Sequence, residues 1–473
     1  MLNLIAQRWR GEGGCGEVLR LALPLIVSTG AFSIQMFVDS VFLTWYSPDA
    51  MAAAMQGGAT AFTFISLFFG TVIYVNTFVA QYTGAGRAER VGPAVWQGVY
   101  FSLLAAVLIL GLVPLAGPIF DMIGHDSEIR LLEVSYFRIM CLGAFPLMVG
   151  SSLGGFFSGR GKTHIVMYVR VGATLVNVVL DYGMIFGRLG FPALGIAGAA
   201  WATVLSSIFA TAVFLIIFFR RHHRLTFATL SGFRPEWDLF RRLLRYGFPN
   251  GIQFLLDMSA FTLFLTLVGR ISKEAFSSTA VTFRINYLSF MPIIGLGIAV
   301  TILVGQAIGK NRPAQAQRAC WSGFYVGFVY MLIVASGFWF FPKLFTGPFS
   351  VHTDIEQLIH NLLKFIAVCC LFDTGNIIFA AALKGAGDTR FVMFMSVAMH
   401  WLLLAVPSYV AFKLGWGVYT FWSFFTAFYC ILAMAFLLRL LGGKWKSMRV
   451  IEVIYPAVPT SAAVNPSLET EAT

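Results

Sequence analysis

Charge is scarce in this chain. Asp, Glu, Lys and Arg make up 11% of its 473 residues, against about a quarter in a soluble domain. Hydrophobic residues reach 58% and fall in long unbroken runs. That excludes a soluble globular fold. It also excludes a membrane β-barrel, whose strands show only short alternating patterns. The expected class is an all-α polytopic membrane protein.

Catalytic equipment is missing as well. No nucleophile, base and acid are set out together. Gly161-Lys162-Thr163 looks like the end of a phosphate-binding loop, but Ser158-Gly159 precedes it at the wrong spacing. Gly11-Glu12-Gly13-Gly14-Cys15-Gly16 spells a dinucleotide string, yet no strand precedes it and no βαβ unit surrounds it. The six Cys show neither metal spacing nor a paired framework, and His164, His222, His223 and His400 show no metal spacing either. These absences point away from an enzyme and from a nucleotide-driven pump. No organic cofactor is expected, and energy has to come from an ion gradient. The first apolar run continues past Asp39 without a small-residue cleavage site, so it reads as a retained span.

The net charge of +12 follows membrane topology and does not indicate nucleic-acid binding. Arg8, Arg10 and Arg20 open the first span. Arg87 and Arg90 follow the second, Arg160 and Lys162 the fourth, Lys310 and Arg312 the eighth, Lys384 and Arg390 the tenth. The alternate loops are poor in Lys and Arg. The positive-inside rule then puts both termini in the cytoplasm. Runs long enough to span are expected at 18–46, 51–80, 94–118, 131–155, 164–187, 193–219, 244–269, 275–305, 319–343, 360–383, 391–412 and 415–440. Residues 1–17 form a cytoplasmic N-terminus and 220–243 an Arg-rich cytoplasmic linker. Residues 441–473 read as a cytoplasmic tail, disordered by composition.

The chain also repeats itself. Arg20-x-x-x-Pro24 recurs as Arg245-x-x-x-Pro249, Gly70 as Gly295 and Gln81 as Gln306, an offset of 225 (245 less 20). Gly159-Arg-Gly161-Lys-Thr163 recurs as Gly385-Ala-Gly387-Asp-Thr389, one position further on. A nearly fixed offset over separate motifs marks a duplication. Each half, 18–219 and 244–440, holds six spans. Six is even, so both halves enter the membrane from one side and are related by a pseudo-two-fold axis along its normal, which is transporter architecture.

Few acids lie deep in these spans: Asp39 and Asp181 in the first half, Asp257 and Asp373 in the second. Each ionised and unpaired carboxylate costs roughly 3 kcal/mol at mid-membrane even on the lenient scale. They must be protonated, cation-bound or paired. Asn177 stands four residues before Asp181 and shares its helix face. An amide oxygen and a carboxylate together suit a small hard cation. The plainer alternative is a helix-to-helix hydrogen bond or a static interior salt bridge. Arg138, Arg170 and Arg284 are candidate partners for the acids, with Arg284 placed best for Asp257 or Asp373. Arg284, Asn286 and Tyr287 are candidate cavity-lining residues.

Taken together, these motifs resemble the multidrug and toxic compound extrusion (MATE) family, over roughly residues 15–445. The resemblance is carried by Pro24 with Phe37-Val38-Asp39, Gln81-x-x-Gly84-Ala85-Gly86, Ser158-Gly159-Arg160-Gly161-x-Thr163 and Asn177-x-x-x-Asp181. Val304-Gly305-Gln306-x-x-Gly309 and Leu383-Lys384-Gly385-Ala386-Gly387-Asp388-Thr389 complete it. The resemblance implies an exporter of organic, often lipophilic and cationic compounds driven by entry of Na+ or H+. It matches Asp39, Asn177, Asp181 and Thr203 to an amino-terminal-lobe cation site, and Asp257 and Asp373 to the carboxylates of a carboxy-terminal-lobe site in the NorM-like branch, which typically has Glu at the first of these. Which ion, and which lobe, stay open. The expected partners are a small-molecule substrate and membrane lipid, with no nucleic acid and a monomeric chain. A lipid-linked precursor flippase or a dedicated metabolite exporter of a related fold remains the alternative.

Overall fold

The computed structural model describes residues 9, 11–123, 125–347 and 353–452. Among them, twelve helices are long and apolar enough to cross a membrane, and there is no strand. We number them α1 (Cys15–Tyr46), α2 (Pro48–Gly84), α3 (Ala88–Leu110), α4 (Ser127–Gly159), α5 (Thr163–Phe186), α6 (Ile196–Phe218), α7 (Trp237–Gly269), α8 (Lys273–Gly309), α9 (Pro313–Phe340), α10 (Thr353–Ala386), α11 (Thr389–Lys413) and α12 (Val418–Leu441). Each falls on one of the twelve expected spans. Helix α7 begins inside the segment expected as linker. Of that segment, Arg221–Thr226 and Ser231–Phe233 form short helical turns.

Helices α1–α6 and α7–α12 form two lobes with separate cores. Each core also takes in the start of the other lobe's first helix: Val18, Ala22 and Leu25 of α1 join the second core, and Leu239 and Leu243 of α7 join the first. The lobes meet where α1 packs on α8 and α7 packs on α2, which is the contact pattern a two-fold axis requires.

The duplicated motifs meet across this seam. Gln81 Nε2 of the first lobe donates to the Gly385 carbonyl of the second at 2.9 Å. Its repeat Gln306 donates to the Gly159 carbonyl, the counterpart of Gly385, at 2.8 Å. A Cβ on Gly84 would sit 2.0 Å from the Gln306 carbonyl oxygen, and one on Gly309 would sit 2.1 Å from that of Gln81. Only glycine allows backbones this close. Two further hydrogen bonds, Tyr74 Oη to the Lys384 carbonyl (2.7 Å) and Asn250 Nδ2 to the Gly70 carbonyl (2.6 Å), join the same seam.

The glutamine contacts lie at the end of the molecule that gathers Arg87, Arg90, Arg160 and Arg242, here called the basic face. The first residues of the expected tail also pack there, so they are not disordered. Trp445 is buried in the second core, while Val450 and Ile451 are buried in the first. The Val450 N–H donates to Gln81 Oε1 at 2.9 Å. Glu452 accepts from Tyr82 Oη at 2.8 Å and is clasped by Arg87, Arg90 and Arg242. Residues 453–473 lie outside the described residues. The strand of chain from α12 thus crosses from one lobe to the other, and a charge is its anchor.

Burial works against the Glu452 charge, but its own backbone N–H, Tyr82 and Arg242 outweigh it and hold the carboxyl down to about 2 from an ordinary value of 4.5. A depressed carboxyl contributes stability that is fully present above its unfolded value and is lost as pH falls through the folded one. Glu452→Gln is therefore expected to lower the unfolding free energy by about 1–3 kcal/mol, the scale of a charged hydrogen bond. The deficit should be constant above about pH 5 and should shrink as pH falls toward 2. Thermal unfolding of purified protein across that range checks it.

Candidate ion-coupling sites

The first site is built by α1 and α5, which pack along their length. On α5 the membrane pattern is inverted. Leu175 and Val179 are 63% and 56% exposed, while Asn177 and Asp181 are completely buried. The apolar side chains face lipid and the polar pair faces protein, as expected for polar residues in a span. Asp39 comes from α1, one helix away. With its amide turned to satisfy its neighbours, Asn177 Nδ2 donates to Asp181 Oδ2 at 3.1 Å and to Asp39 Oδ1 at 3.0 Å. The two carboxylates are also within hydrogen-bonding reach of each other.

Two carboxylates at such separation, one of them fully buried, repel strongly unless a proton or cation lies between them. One amide cannot satisfy both. Asp181 Oδ1 is left buried with no hydrogen-bond partner. In this arrangement Asn177 serves the pair through its N–H2, not through its oxygen. Thr203, on α6, has no hydrogen bond from its hydroxyl to these groups; its carbonyl accepts from Ser206 and Ser207. Tyr136 of α4 lies within electrostatic reach of both acids, a neighbour that the sequence did not single out.

The second lobe carries its acids on two helices, and among the described residues no hydrogen bond joins them. Asp257 lies on α7 and Asp373 on α10, the latter buried, with Asn376 as polar neighbour. Tyr429 of α12 is within electrostatic reach of both. Gln253 Nε2 donates to Asp257 Oδ2 at 3.1 Å and to Ser396 Oγ at 2.9 Å.

Arg284 does not pair with either acid. It is exposed, and among the described residues no ion pair within 4.0 Å joins Arg138, Arg170 or Arg284 to a carboxylate. The reason is helix phase. The inward face of α8 carries Ser278, Thr282 and Ile285, and Arg284, two residues past Thr282, points about 160° away from Thr282. Asn286 instead accepts from the Cys370 thiol at 3.7 Å, and Tyr287 is exposed. The group beside Asp257 is instead His400 of α11, whose Nδ1 lies 2.9 Å from Asp257 Oδ1. A fifth deep acid, Glu133 of α4, is completely buried and lies 2.7 Å from His125 Nδ1. Neither pair was expected, because each joins residues that no motif links.

With this geometry in hand, comparison with known proteins is decisive about kinship. The MatE family model matches residues 24–183 and 249–410, one copy in each lobe. The chain belongs to the MatE family. It is a transporter, not an enzyme. Among curated relatives, a probable multidrug resistance protein NorM of Pseudomonas aeruginosa is 29% identical over 449 residues, covering 92% of this chain and 90% of that protein. Its namesake in Thermotoga maritima is 24% identical, covering 92% and 94%. Solved structures of the same fold include a MOP-superfamily transporter from Pyrococcus furiosus and an outward-facing multidrug resistance MATE transporter. Each has a TM-score of 0.84 and 21% identity, over 93% of this chain and 98% of the other. At that identity the likeness concerns the fold alone.

In this MatE chain Asn177 carries a specific load. Asn177→Val removes the amide shared by the two carboxylates, and stability is expected to fall by about 1–3 kcal/mol, the cost of leaving a buried acceptor without its donor. Paired thermal melts of the two proteins at neutral pH measure this.

Proposed function

We propose that the protein is a secondary antiporter that exports organic, lipophilic and cationic compounds in exchange for Na+ or H+ by alternating access. The observation that carries the reading is the Asp39–Asn177–Asp181 cluster, with one buried carboxylate oxygen lacking any partner. Such a site is incomplete without a proton or a small cation. Uptake of either converts repulsion into attraction between α1 and α5, and a charge change of this kind biases a two-state equilibrium between lobe arrangements. The printed names of the NorM relatives support a multidrug substrate range. Thr203, one helix over on α6, is positioned by the family resemblance as a further oxygen ligand. Asp257 and Asp373 supply the second lobe's contribution.

The basic face is cytoplasmic in this reading, following the positive-inside rule, with both termini on that side of a bacterial inner membrane and the chain acting as a monomer. The seam closed at the basic face then seals the cytoplasmic side. Protons or Na+ reach the carboxylates from outside, and substrate leaves the same way. No chemistry on the substrate is needed.

The test is ethidium movement in proteoliposomes under an imposed Na+ gradient and, separately, an imposed pH gradient. One gradient is expected to drive export in wild type. Asp39→Asn and Asp181→Asn should each cut the rate about tenfold or more, because loss of a charged contact exceeds the ~1.4 kcal/mol that a factor of ten represents. Wild-type movement that both variants retain would contradict coupling at this cluster. No movement under either gradient would contradict multidrug antiport and favour a dedicated substrate or a flippase.

A further inference from the structure

The linker after α6 folds back against the end of α4, and the two meet around one arginine. Arg160 directly follows α4. Its Cζ lies 4.5 Å from the ring centre of Phe156 and 3.7 Å from that of Phe227. These rings are 5.5 Å apart, edge to face. His223 packs on both, at 5.2 and 5.9 Å, and its Nδ1 lies 2.8 Å from the Ile217 carbonyl oxygen. A planar, weakly hydrated guanidinium suits such an aromatic box.

The box supplies no negative charge. Among the described residues Arg160 makes no hydrogen bond and no ion pair, and its Nη1 is buried without an acceptor. Burial pulls the guanidinium down to about 10 from 12.5, and no carboxylate opposes the shift. The neighbours are cations too. Arg220 is within electrostatic reach of the same His223. Arg224 stands in the linker turn Arg221–Thr226 and is exposed, as is Lys162. No ion pair joins Lys162, Arg220 or Arg224 to a carboxylate among the described residues.

The duplicated loop in the second lobe is built differently. The counterpart of Lys162 is Asp388, 226 positions on (388 less 162). There Asp388 Oδ2 accepts from Arg439 Nε at 2.7 Å, and the Arg439 guanidinium lies 4.6 Å from the Phe391 ring centre. The second lobe thus gives its stacked arginine an anion from its own chain. In the first lobe a cation stands in the anion's place. Apolar side chains flank the cluster in sequence: Ile216 at the end of α6 is 69% exposed and Leu225 is 78% exposed. Basic and apolar side chains exposed together at the end of a span match the level where lipid phosphates meet acyl chains.

We infer that Arg160, with Arg220 and Arg224, binds the phosphate of an anionic phospholipid, which serves the first lobe's loop as Asp388 serves the second's. Arg160 is half-buried, so the group stays approachable, and phosphate oxygens accept charge-assisted hydrogen bonds from guanidinium groups. The inference does not depend on the antiport reading. The orientation proposed above places the lipid in the cytoplasmic leaflet.

The experiment is thermal unfolding of full-length protein in dodecyl maltoside, titrated separately with dioleoyl phosphatidylglycerol, dioleoyl phosphatidylcholine and sodium phosphate. The rise in Tm with ligand concentration gives each Kd. Phosphatidylglycerol should bind about tenfold tighter than phosphatidylcholine. Arg160→Gln should weaken it about tenfold, the scale of one charge-assisted hydrogen bond. Arg220→Gln/Arg224→Gln alters exposed residues and leaves the aromatic box intact, and it should weaken binding about fivefold or more. Lys444→Gln, which removes an exposed cation after α12, should leave the Kd unchanged. Equal binding of the two lipids overturns the site. So does phosphatidylglycerol binding that both cluster variants retain, or a loss as large in Lys444→Gln. Sodium phosphate that stabilises wild type at the same concentrations as the lipid overturns the lipid as occupant in favour of a free anion.

Discussion

Two glutamines hold the lobes together. Gln81 and Gln306 sit at equivalent points of a duplicated chain, and each reaches across to a backbone carbonyl of the other copy. A buried side-chain amide bonded to a carbonyl is worth only about 1 kcal/mol net, but leaving it unmet costs more. The seam is therefore closed firmly without being locked. Gly84 and Gly309 make the arrangement possible, since any side chain there would occupy the partner's carbonyl. Two features go with this geometry: the packing of α1 on α8 and α7 on α2, and the crossing of the chain after α12 toward Glu452.

The two lobes meet the cost of buried carboxylates differently. In the first, two acids are drawn together and share one amide. In the second, no hydrogen bond joins the two acids among the described residues, and one of them has an imidazole beside it. Duplication supplied the same scaffold twice, and the substitutions since then leave the two lobes with different polar clusters.

Much of the fold was legible in the residues. Long apolar runs with basic residues at alternate ends left little choice of span number, and the 225-residue offset between motifs implied the two-fold relation before any contact was visible. The Asn177–Asp181 face was legible for the same reason, because i and i+4 coincide on any helix. What was not legible depended on departures from regularity. Arg284 was assigned to the acids on charge alone, and the helical phase of α8 turns it away. His400 was passed over because its partner lies on another helix. The Glu452 clasp was hidden in a segment whose Pro, Ser, Thr and Glu content resembles solvated tail, although Trp445, Val450 and Ile451 in front of it are apolar enough to anchor it.

In the alternating-access reading proposed above, the glutamine seam has to open for transport to occur. A Cβ on Gly305 would lie 2.9 Å from the Cβ of Ala80 across the lobes, so a cysteine at each position needs about 1 Å of adjustment to reach disulfide spacing. With the six native cysteines replaced, Ala80→Cys/Gly305→Cys protein should move ethidium when reduced and stop when oxidised, with reductant restoring it. Undiminished movement by fully cross-linked protein would contradict the account.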